Sequence, residues 1–324
     1  MNWEESSILI TGGTGTFGQC CTRELLGRGV KRLVVYSRDE AKQHRMAQEI
    51  KADSLRFFIG DVRERDRLRM ALDGIDVVIH AAALKHVPVC EYNPIEAVKT
   101  NVGGVQNVIE AGIDAGVSRV ISLGTDKLVF PHNLYGATKL VAERLFIQGN
   151  CLSAHSGTRF SGTRYGNVIG SRGSVVEVFR RQRESGLVTV TDPRMTRFVL
   201  TVRDGVEFVL RSLEQMVGGE VFIPKLPSVG IMDVAHGVAP GCEVVFTGVR
   251  PGEKLHEMLI SPDEARWVRD CGDYYVITPM FPFWTGERSH PGKAVGEGFC
   301  YNSLDNPWRL GAQEFEALCG QEEA

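Results

Sequence analysis

The chain has 324 residues, a formal net charge of −3, a pI of about 6.3, and 43% hydrophobic and 24% charged residues. That balance describes a soluble globular protein and offers no basic surface for nucleic acid or for a membrane. No apolar run nears the ~18 residues of a membrane span. Residues 1–7 are polar, and the apolar run at 8–10 is too short for a signal peptide, so a cytoplasmic protein is expected.

Residues 8–11 form a short apolar run that stops at glycines, a first strand. Residues 15–28 read as a helix, 32–36 as a second strand, 39–51 as a helix and 55–59 as a third strand. A helix at 64–72, a fourth strand at 76–80, a helical stretch at 93–116 and a fifth strand at 119–123 follow. Continuous apolar strands alternating with helices predict an α/β fold, a Rossmann-like doubly wound parallel sheet covered on both faces. A helix over 133–148 and strands at 160–166 and 221–223 come next. Beyond about residue 225, Pro, Gly and aromatic residues crowd in, notably at 278–284, and 290–299 reads as a mobile loop. The expected organisation is a dinucleotide-binding domain over 1–168, with 196–226 returning to it. A smaller C-terminal substrate-binding domain would take 169–195 and 227–324.

The eight cysteines form no C-x-x-C pair and no Cys/His cluster with zinc-ligand spacing. Reduced thiols and no metal site are expected.

Gly12, Gly13, Thr14, Gly15, Thr16, Phe17 and Gly18 follow the first strand and open the first helix. Glycines there permit a tight turn and close approach to a pyrophosphate, which the helix N-terminus attracts with unpaired N–H groups. The second strand ends in Tyr36, Ser37, Arg38, Asp39 and, further on, Lys42. An NAD-selective site usually carries an acid at the strand end for the ribose 2′-OH. Ser37, Arg38 and Lys42 instead suit a 2′-phosphate, so NADP is the expected cofactor. The alternative is that Asp39 takes the ribose and the two cations form a solvated helix start. Asp61 and Val62, after the third strand, would border the adenine. Ala81, Ala82 and Ala83, after the fourth, would pass the nicotinamide with little bulk.

Tyr135 and Lys139 stand at i and i+4 on one helix face, where an ammonium would favour the phenolate. Asp126 and Lys127, just upstream, supply a second acid/base pair. A plain dehydrogenase needs one proton-transfer group; two pairs suggest oxidation followed by elimination.

Together these residues resemble the extended short-chain dehydrogenase/reductase superfamily, and within it the inverting UDP-N-acetylglucosamine 4,6-dehydratases of pseudaminic acid biosynthesis. The resemblance runs from about residue 8 to 308. It rests on Ile-Thr-Gly-Gly-Thr-Gly-x-Phe-Gly (10–18), Val-Tyr-Ser-Arg-Asp-Glu (35–40), Phe-Phe-Ile-Gly-Asp-Val-Arg (57–63) and His-Ala-Ala-Ala-Leu-Lys-His-Val-Pro (80–88). It continues through Thr-Asp-Lys (125–127), Asn-Leu-Tyr-Gly-Ala-Thr-Lys (133–139), Arg-Tyr-Gly-Asn-Val (164–168), Gly-Ser-Arg-Gly-Ser-Val (170–175), Met-Thr-Arg-Phe (195–198) and Arg-Pro-Gly-Glu-Lys-Leu-His-Glu (250–257). Two departures stand out. Gly124 occupies the place of an expected serine, and Leu128, Val129, Phe130 and His132 replace smaller or polar residues.

The resemblance implies the chemistry. Tyr135 takes the sugar 4-OH proton as C4 is oxidised, Thr125 hydrogen-bonds the same oxygen, and Lys139 tunes Tyr135 and holds the nicotinamide ribose. Lys127 then removes the C5 proton and Asp126 protonates the departing 6-OH. To act as a base Lys127 must be neutral, which calls for desolvation or a neighbouring positive charge. Lysine rather than glutamate at 127 implies inversion at C5. Lys85 is implied for both cofactor and sugar, and Val168 for the cofactor. His86, Asn167, Arg172, Val175, Arg197, Arg250 and Glu253 are implied for the UDP-sugar. The resemblance also implies a homo-oligomer, with a hexamer as one form. The competing readings are a retaining 4,6-dehydratase or 4-epimerase of a UDP-hexosamine, and a non-enzymatic NADP-binding regulator.

Overall fold

The computed structural model describes residues 1–171, 173–281 and 290–321. The first half alternates strictly: β1 (Ser7–Thr11), α1 (Thr16–Gly27), β2 (Arg32–Ser37), α2 (Glu40–Glu49), β3 (Leu55–Ile59), α3 (Arg65–Ala71) and β4 (Val77–His80). α4 (Val87–Tyr92), a helix the sequence reading did not include, comes next, and the helical stretch expected over 93–116 is α5 (Pro94–Val98), a π-turn over Lys99–Gly103 and α6 (Gly104–Asp114). β5 (Arg119–Leu123), α7 (Leu134–Leu152) and β6 (Arg159–Thr163) close this half.

The second half holds more regular structure than its Pro/Gly content suggested. It runs β7 (Asn167–Val168), α8 (Val175–Arg183), β8 (Leu187–Val190), β9 (Thr196–Leu200), α9 (Val202–Gln215), β10 (Val221–Pro224), β11 (Ser228–Gly230), α10 (Ile231–Val238), β12 (Glu243–Phe246) and β13 (Met258–Ile260). β14 (Val268–Asp270), β15 (Tyr274–Ile277), β16 (Lys293–Ala294), β17 (Tyr301–Asn302), β18 (Arg309–Leu310) and α11 (Ala312–Gln321) follow.

Among the described residues, ten strands form one sheet in the order β16-β14-β15-β10-β6-β5-β4-β1-β2-β3. From β10 to β3 all pairings are parallel. Such strands are buried on both faces, which is why they read as unbroken apolar runs: Ile8, Leu9 and Ile10 are fully buried. The sheet does not end at β10. β15 adds antiparallel to it, then β14 and β16. Residues 268–277, assigned from sequence to the substrate domain, therefore build the main sheet. Within the stretch expected as a mobile loop, Lys293 and Ala294 form its edge, paired with Asp270 and Arg269. Residues 282–289, the latter part of the aromatic stretch, lie outside the described residues.

β7, β9, β11 and β18 make a separate four-stranded sheet. A third apolar core, with Val176, Phe179, Val234 and Phe315, joins α8, α10 and α11. Thus β9, although within 196–226, belongs to the second sheet, whereas α9 packs on α1 and β10 enters the main sheet.

One buried cation ties the two parts together. Arg164, 1% exposed, follows β6 and donates through Nε and Nη2 to Glu143 on α7, and through Nη1 and Nη2 to Glu264 beyond β13. Breaking one member of such a buried network leaves uncompensated charge, which typically costs ~3–5 kcal/mol. Arg164→Met should lower unfolding stability by about that amount at pH 7. The deficit should shrink as pH falls toward about 4, where carboxyls protonate and need no counter-charge. Denaturant titrations of both proteins across that range check this.

Candidate functional site

The glycine turn sits where β1 meets α1. Gly12 has φ +67°, and a Cβ on it would come within 2.9 Å of the Ala82 backbone. A Cβ on Gly18 would lie 2.5 Å from Gly13. The turn thus presses on the 81–83 segment on one side and on its own helix on the other, leaving the α1 N-terminus facing outward. Thr11 Oγ1 accepts from the Ala81 and Ala82 amides and meets His80 Nδ1 at 2.8 Å. Burial pushes the His80 imidazole down to about 3, so it stays neutral.

At the end of β2 the charges are already engaged. Asp39 caps α2 by accepting from the Lys42 amide, and its carboxylate lies 2.6 Å from Lys42 Nζ. Arg38, half exposed, approaches Asp61 at 3.8 Å. Ser37 Oγ accepts from Thr14 and from Gln43. Val62 is buried beneath Gly104 of α6.

The catalytic candidates converge at the C-terminal ends of β5 and β6. Thr125, Asp126 and Lys127 follow β5, with Asp126 to Leu128 in a single 3₁₀ turn. α7 starts at the Asn133 cap, whose Oδ1 accepts from the Gly136 amide. A Cβ on Gly136 would lie 2.2 Å from the Lys127 carbonyl oxygen. Glycine there lets the first turn of α7 sit against the Thr125–Lys127 loop and brings Tyr135 beside Thr125, whose hydroxyl helps hold the phenol down. Gly124 has a similar reason. A serine Cβ would fall 2.2 Å from the Thr163 carbonyl oxygen, so β5 and β6 approach too closely here for a side chain.

The electrostatics differ from the sequence expectation in two respects. Burial raises the Tyr135 phenol to about 12, and the cation that opposes this is Lys127, with help from the Thr125 hydroxyl. Lys139 points its ammonium at the Leu123 carbonyl, 2.6 Å away, and is not among the larger influences on Tyr135. The other difference is Lys127. Burial opposes its charge, but Asp126 and Glu257 outweigh burial and hold it firmly as an ammonium. Its Nζ lies 3.0 Å from Asp126 Oδ1, 3.2 Å from Asn167 Oδ1 and 3.4 Å from Glu257 Oε1. The neutral lysine expected from sequence is not the resting form. Asp126 is wholly buried, and desolvation, with help from Glu257, raises its carboxyl despite Lys127. Glu257 moves the other way: burial raises its carboxyl, but Lys127, Arg197 and Lys254 prevail and lower it. Burial thus pushes Asp126 toward the neutral acid, while the surrounding cations hold Glu257 toward the carboxylate.

Of the remaining candidates, Asn167 reaches Lys127 directly and Arg197 faces Glu257. Residues 250–257 dock on the loop before α7: Asn133 Nδ2 donates to the Gly252 carbonyl, and Lys254 Nζ donates to the Val129 carbonyl. Arg250 is exposed and reaches Glu253 at 3.8 Å. Lys85 and His86 are exposed before α4, and the His86 ring packs on Gly173. Val175 opens α8, and Val168 pairs with Leu200 in the second sheet. Arg197 differs from its assignment: its guanidinium donates to the Thr196, Lys254 and Leu255 carbonyls and faces Glu257, so its donors hold the 254–257 backbone. Arg172 lies outside the described residues. Phe130, half exposed, has φ +46°, a conformation that disfavours a bulky side chain.

Sequence reading missed several residues. Asn101, in the π-turn, accepts from the Leu84 amide and donates to the Leu84 carbonyl and to Thr138, fixing the 84–86 segment to α7. Its signal is a buried asparagine inside an apolar helix. Lys254 and Glu257 lie in a motif already noted, but nothing local shows that they face Lys127.

The parallel sheet, the glycine turn and the Tyr135/Lys139 helix define an α/β protein of the short-chain dehydrogenase/reductase type. A family model described as polysaccharide biosynthesis protein matches residues 8–279, and the chain belongs to that family. It is 48% identical, over 98% of its length and 97% of the relative's, to a Campylobacter jejuni subsp. jejuni serotype O:2 protein named UDP-N-acetylglucosamine 4,6-dehydratase (inverting). It is 41% identical, over 85% of this chain and 83% of the relative, to a Rickettsia conorii protein named UDP-glucose 4-epimerase. The X-ray structure of Pen from Bacillus thuringiensis superposes with a TM-score of 0.92 at 35% identity, covering 100% of this chain and 99% of that one.

Burial brings the Lys139 amine down from 10.5 to about 8, against the pull of Glu143. Between those values the unfolded chain binds more protons, so this group makes stability rise with pH there and destabilises fully below about 8. Lys139→Met should therefore raise stability at pH 7 by up to ~3 kcal/mol, less the lost bond to Leu123. The gain should fade as pH climbs past 8 toward 10.5. Urea unfolding at pH 7, 8.5 and 10 reads this directly.

Proposed function

We propose that the protein is an inverting UDP-N-acetylglucosamine 4,6-dehydratase that works with NADP. The carrying observation is the joining of two proton-transfer systems at one place: Tyr135, held against the Thr125–Lys127 turn by the close approach at Gly136, and the Asp126–Lys127 pair. The similarity to the Campylobacter jejuni enzyme supports the same reading.

The turn around Gly12 and Gly18 fits a dinucleotide pyrophosphate, since a Cβ at either position would close it. When bound, the nicotinamide accepts hydride from C4 and returns it to C6. Tyr135 takes the 4-OH proton, with Thr125 holding the oxygen, and Lys139 stands one helical turn further on for the ribose. The new ketone acidifies C5, whose proton goes to Lys127. Asp126, whose carboxyl burial raises, is the acid that completes the departing water. Asn167 and Glu257 fix the direction of the Lys127 amine. For NADP, Arg38 and Lys42 flank Ser37. Asp39 accepts from the Lys42 amide and pairs with the Lys42 ammonium, and the cations beside Ser37 suit a 2′-phosphate better than a free hydroxyl. Arg250, Glu253, Lys85, His86, Asn167 and Val175 are assigned to the nucleotide sugar, and Arg172 with them on the resemblance.

The Rickettsia conorii relative keeps one other reading in view, a UDP-hexose 4-epimerase. It is separated by product structure, since an epimer retains its C6 hydroxyl. We also infer self-association through the face of α4, α5 and α7, where Val89, Tyr92, Ile95, Val98, Val141 and Leu145 are exposed. The eight cysteines stand as thiols, which suits the reducing cytoplasm. No helix among the described residues is long and apolar enough to cross a membrane.

Incubation with UDP-N-acetylglucosamine in D₂O should give a 4-keto-6-deoxy product of L-arabino configuration with deuterium at C5. Lys127→Ala should still reach the first half-reaction, seen as NADPH-like absorbance and slowed because Tyr135 loses its main opposing cation, and should lose product by a further ~10²–10⁴-fold, the usual worth of a general base. Product formed at a near wild-type rate by that variant would remove Lys127 as the base.

Arg38→Ala should weaken NADP binding about 10–150-fold, as expected for a charged hydrogen bond, while leaving NAD almost unchanged. Calorimetric titration with each cofactor compares them; equal losses would reassign Arg38.

A further inference from the structure

Lys127 Nζ donates to Asp126 Oδ1 and Asn167 Oδ1 and lies 3.4 Å from Glu257 Oε1. An ammonium has no lone pair, so before it can take the C5 proton it must hand one to a neighbour. Asn167 is an amide and cannot accept it. Asp126, as the acid of the dehydratase reading, must keep its proton for the leaving hydroxyl. Glu257 remains.

Glu257 is built for that task. Its side chain is 4% exposed. Its amide donates to Ser303 Oγ and its carbonyl accepts from the Ser303 amide, so the backbone is pinned from both sides. Oε1 faces Lys127, with Arg197 Nε at 4.0 Å. Oε2 is buried without a hydrogen-bond partner, 3.9 Å from Lys254 Nζ. A carboxylate kept for structure alone would be expected to saturate both oxygens, because an unsatisfied buried acceptor costs stability. The charged and titratable groups facing it are Lys127, Asp126, Arg197 and Lys254.

We propose that Glu257 is the proton acceptor that switches Lys127 from acid to base, a positioning residue acting through the lysine. The proposal rests on the dehydratase reading above. In the first step an N–H bond of Lys127 breaks and an O–H bond forms on Glu257, leaving a neutral amine beside a neutral acid. Lys127 then takes the C5 proton while Asp126 gives its own to the departing hydroxyl, which leaves as water. Lys127 next passes a proton to Asp126, and Glu257 returns its proton to Lys127. The three groups end with the two protons they began with, and no electrons are exchanged in these steps.

The test is Glu257→Gln in the full chain, assayed with NADP and UDP-N-acetylglucosamine beside wild type, Glu257→Asp and Lys127→Ala. Glutamine keeps a hydrogen-bond acceptor toward Lys127 but cannot hold the proton. The first half-reaction, read as NADPH-like absorbance, should stay within a few-fold of wild type. Formation of 6-deoxy product and deuterium entry at C5 should fall at least ~10²-fold. The residual product rate should climb about tenfold per pH unit on the alkaline side, because Lys127 must then lose its proton to solvent; Glu257→Asp should recover part of the rate and the wild-type pH profile. Equal loss of both half-reactions, or product formation within about threefold of wild type, would overturn the proposal. A wild type that makes no 6-deoxy product would instead overturn the dehydratase reading, and this proposal with it.

Discussion

The arrangement depends on one buried cation, the Arg164 guanidinium. It leaves the end of β6 and is held by carboxylates from α7 and from the turn after β13. Those three elements bring the active groups: α7 carries Tyr135 and Lys139, and the segment leading into β13 carries Lys254 and Glu257. A guanidinium with both carboxylates satisfied fixes direction as well as distance, because its donors lie in one plane. The site is thereby assembled from chain segments about a hundred residues apart.

Within that frame the site works by giving three neighbouring groups different proton affinities. Asp126 is too deeply buried to remain a carboxylate easily, Glu257 is surrounded by cations, and Lys127 stands between two acids. Groups whose environments push them apart divide acid and base roles among themselves. The Tyr135 phenol responds to the same lysine, so on the proposed roles oxidation at C4 and proton removal at C5 would share one electrostatic source.

Much of this was legible in the sequence, for reasons that differ by element. β1, β2, β4 and β5 announce themselves because parallel strands are buried on both faces, and the glycine turn and the Thr125–Lys139 stretch are local in sequence. α9 carries readable signals too, a Thr201 cap and apolar residues at 206, 209, 210 and 213, yet its region was treated only as returning chain. β14, β15 and β16 are two to four residues long, and their membership of the main sheet is set by partners, not by local periodicity. The charge of Lys127 was misjudged because Glu257 lies 130 residues away, and adjacency shows only Asp126. Arg197 looked like a ligand for an anion, whereas its donors serve nearby carbonyls.

The antiparallel strand at β10 has a consequence for how the protein is made. Seven parallel strands can pair as soon as residue 224 is available, but the outer edge of β10 stays open until Tyr274–Ile277 arrive to cover it. That edge carries Val221, Phe222 and Ile223, all buried in the finished protein. An apolar strand with unpaired backbone groups is a template for wrong partners. During synthesis the chain therefore passes through an interval, some fifty residues long, in which its nearly complete sheet is adhesive. The last segment of the sheet ends that interval by serving as its seal.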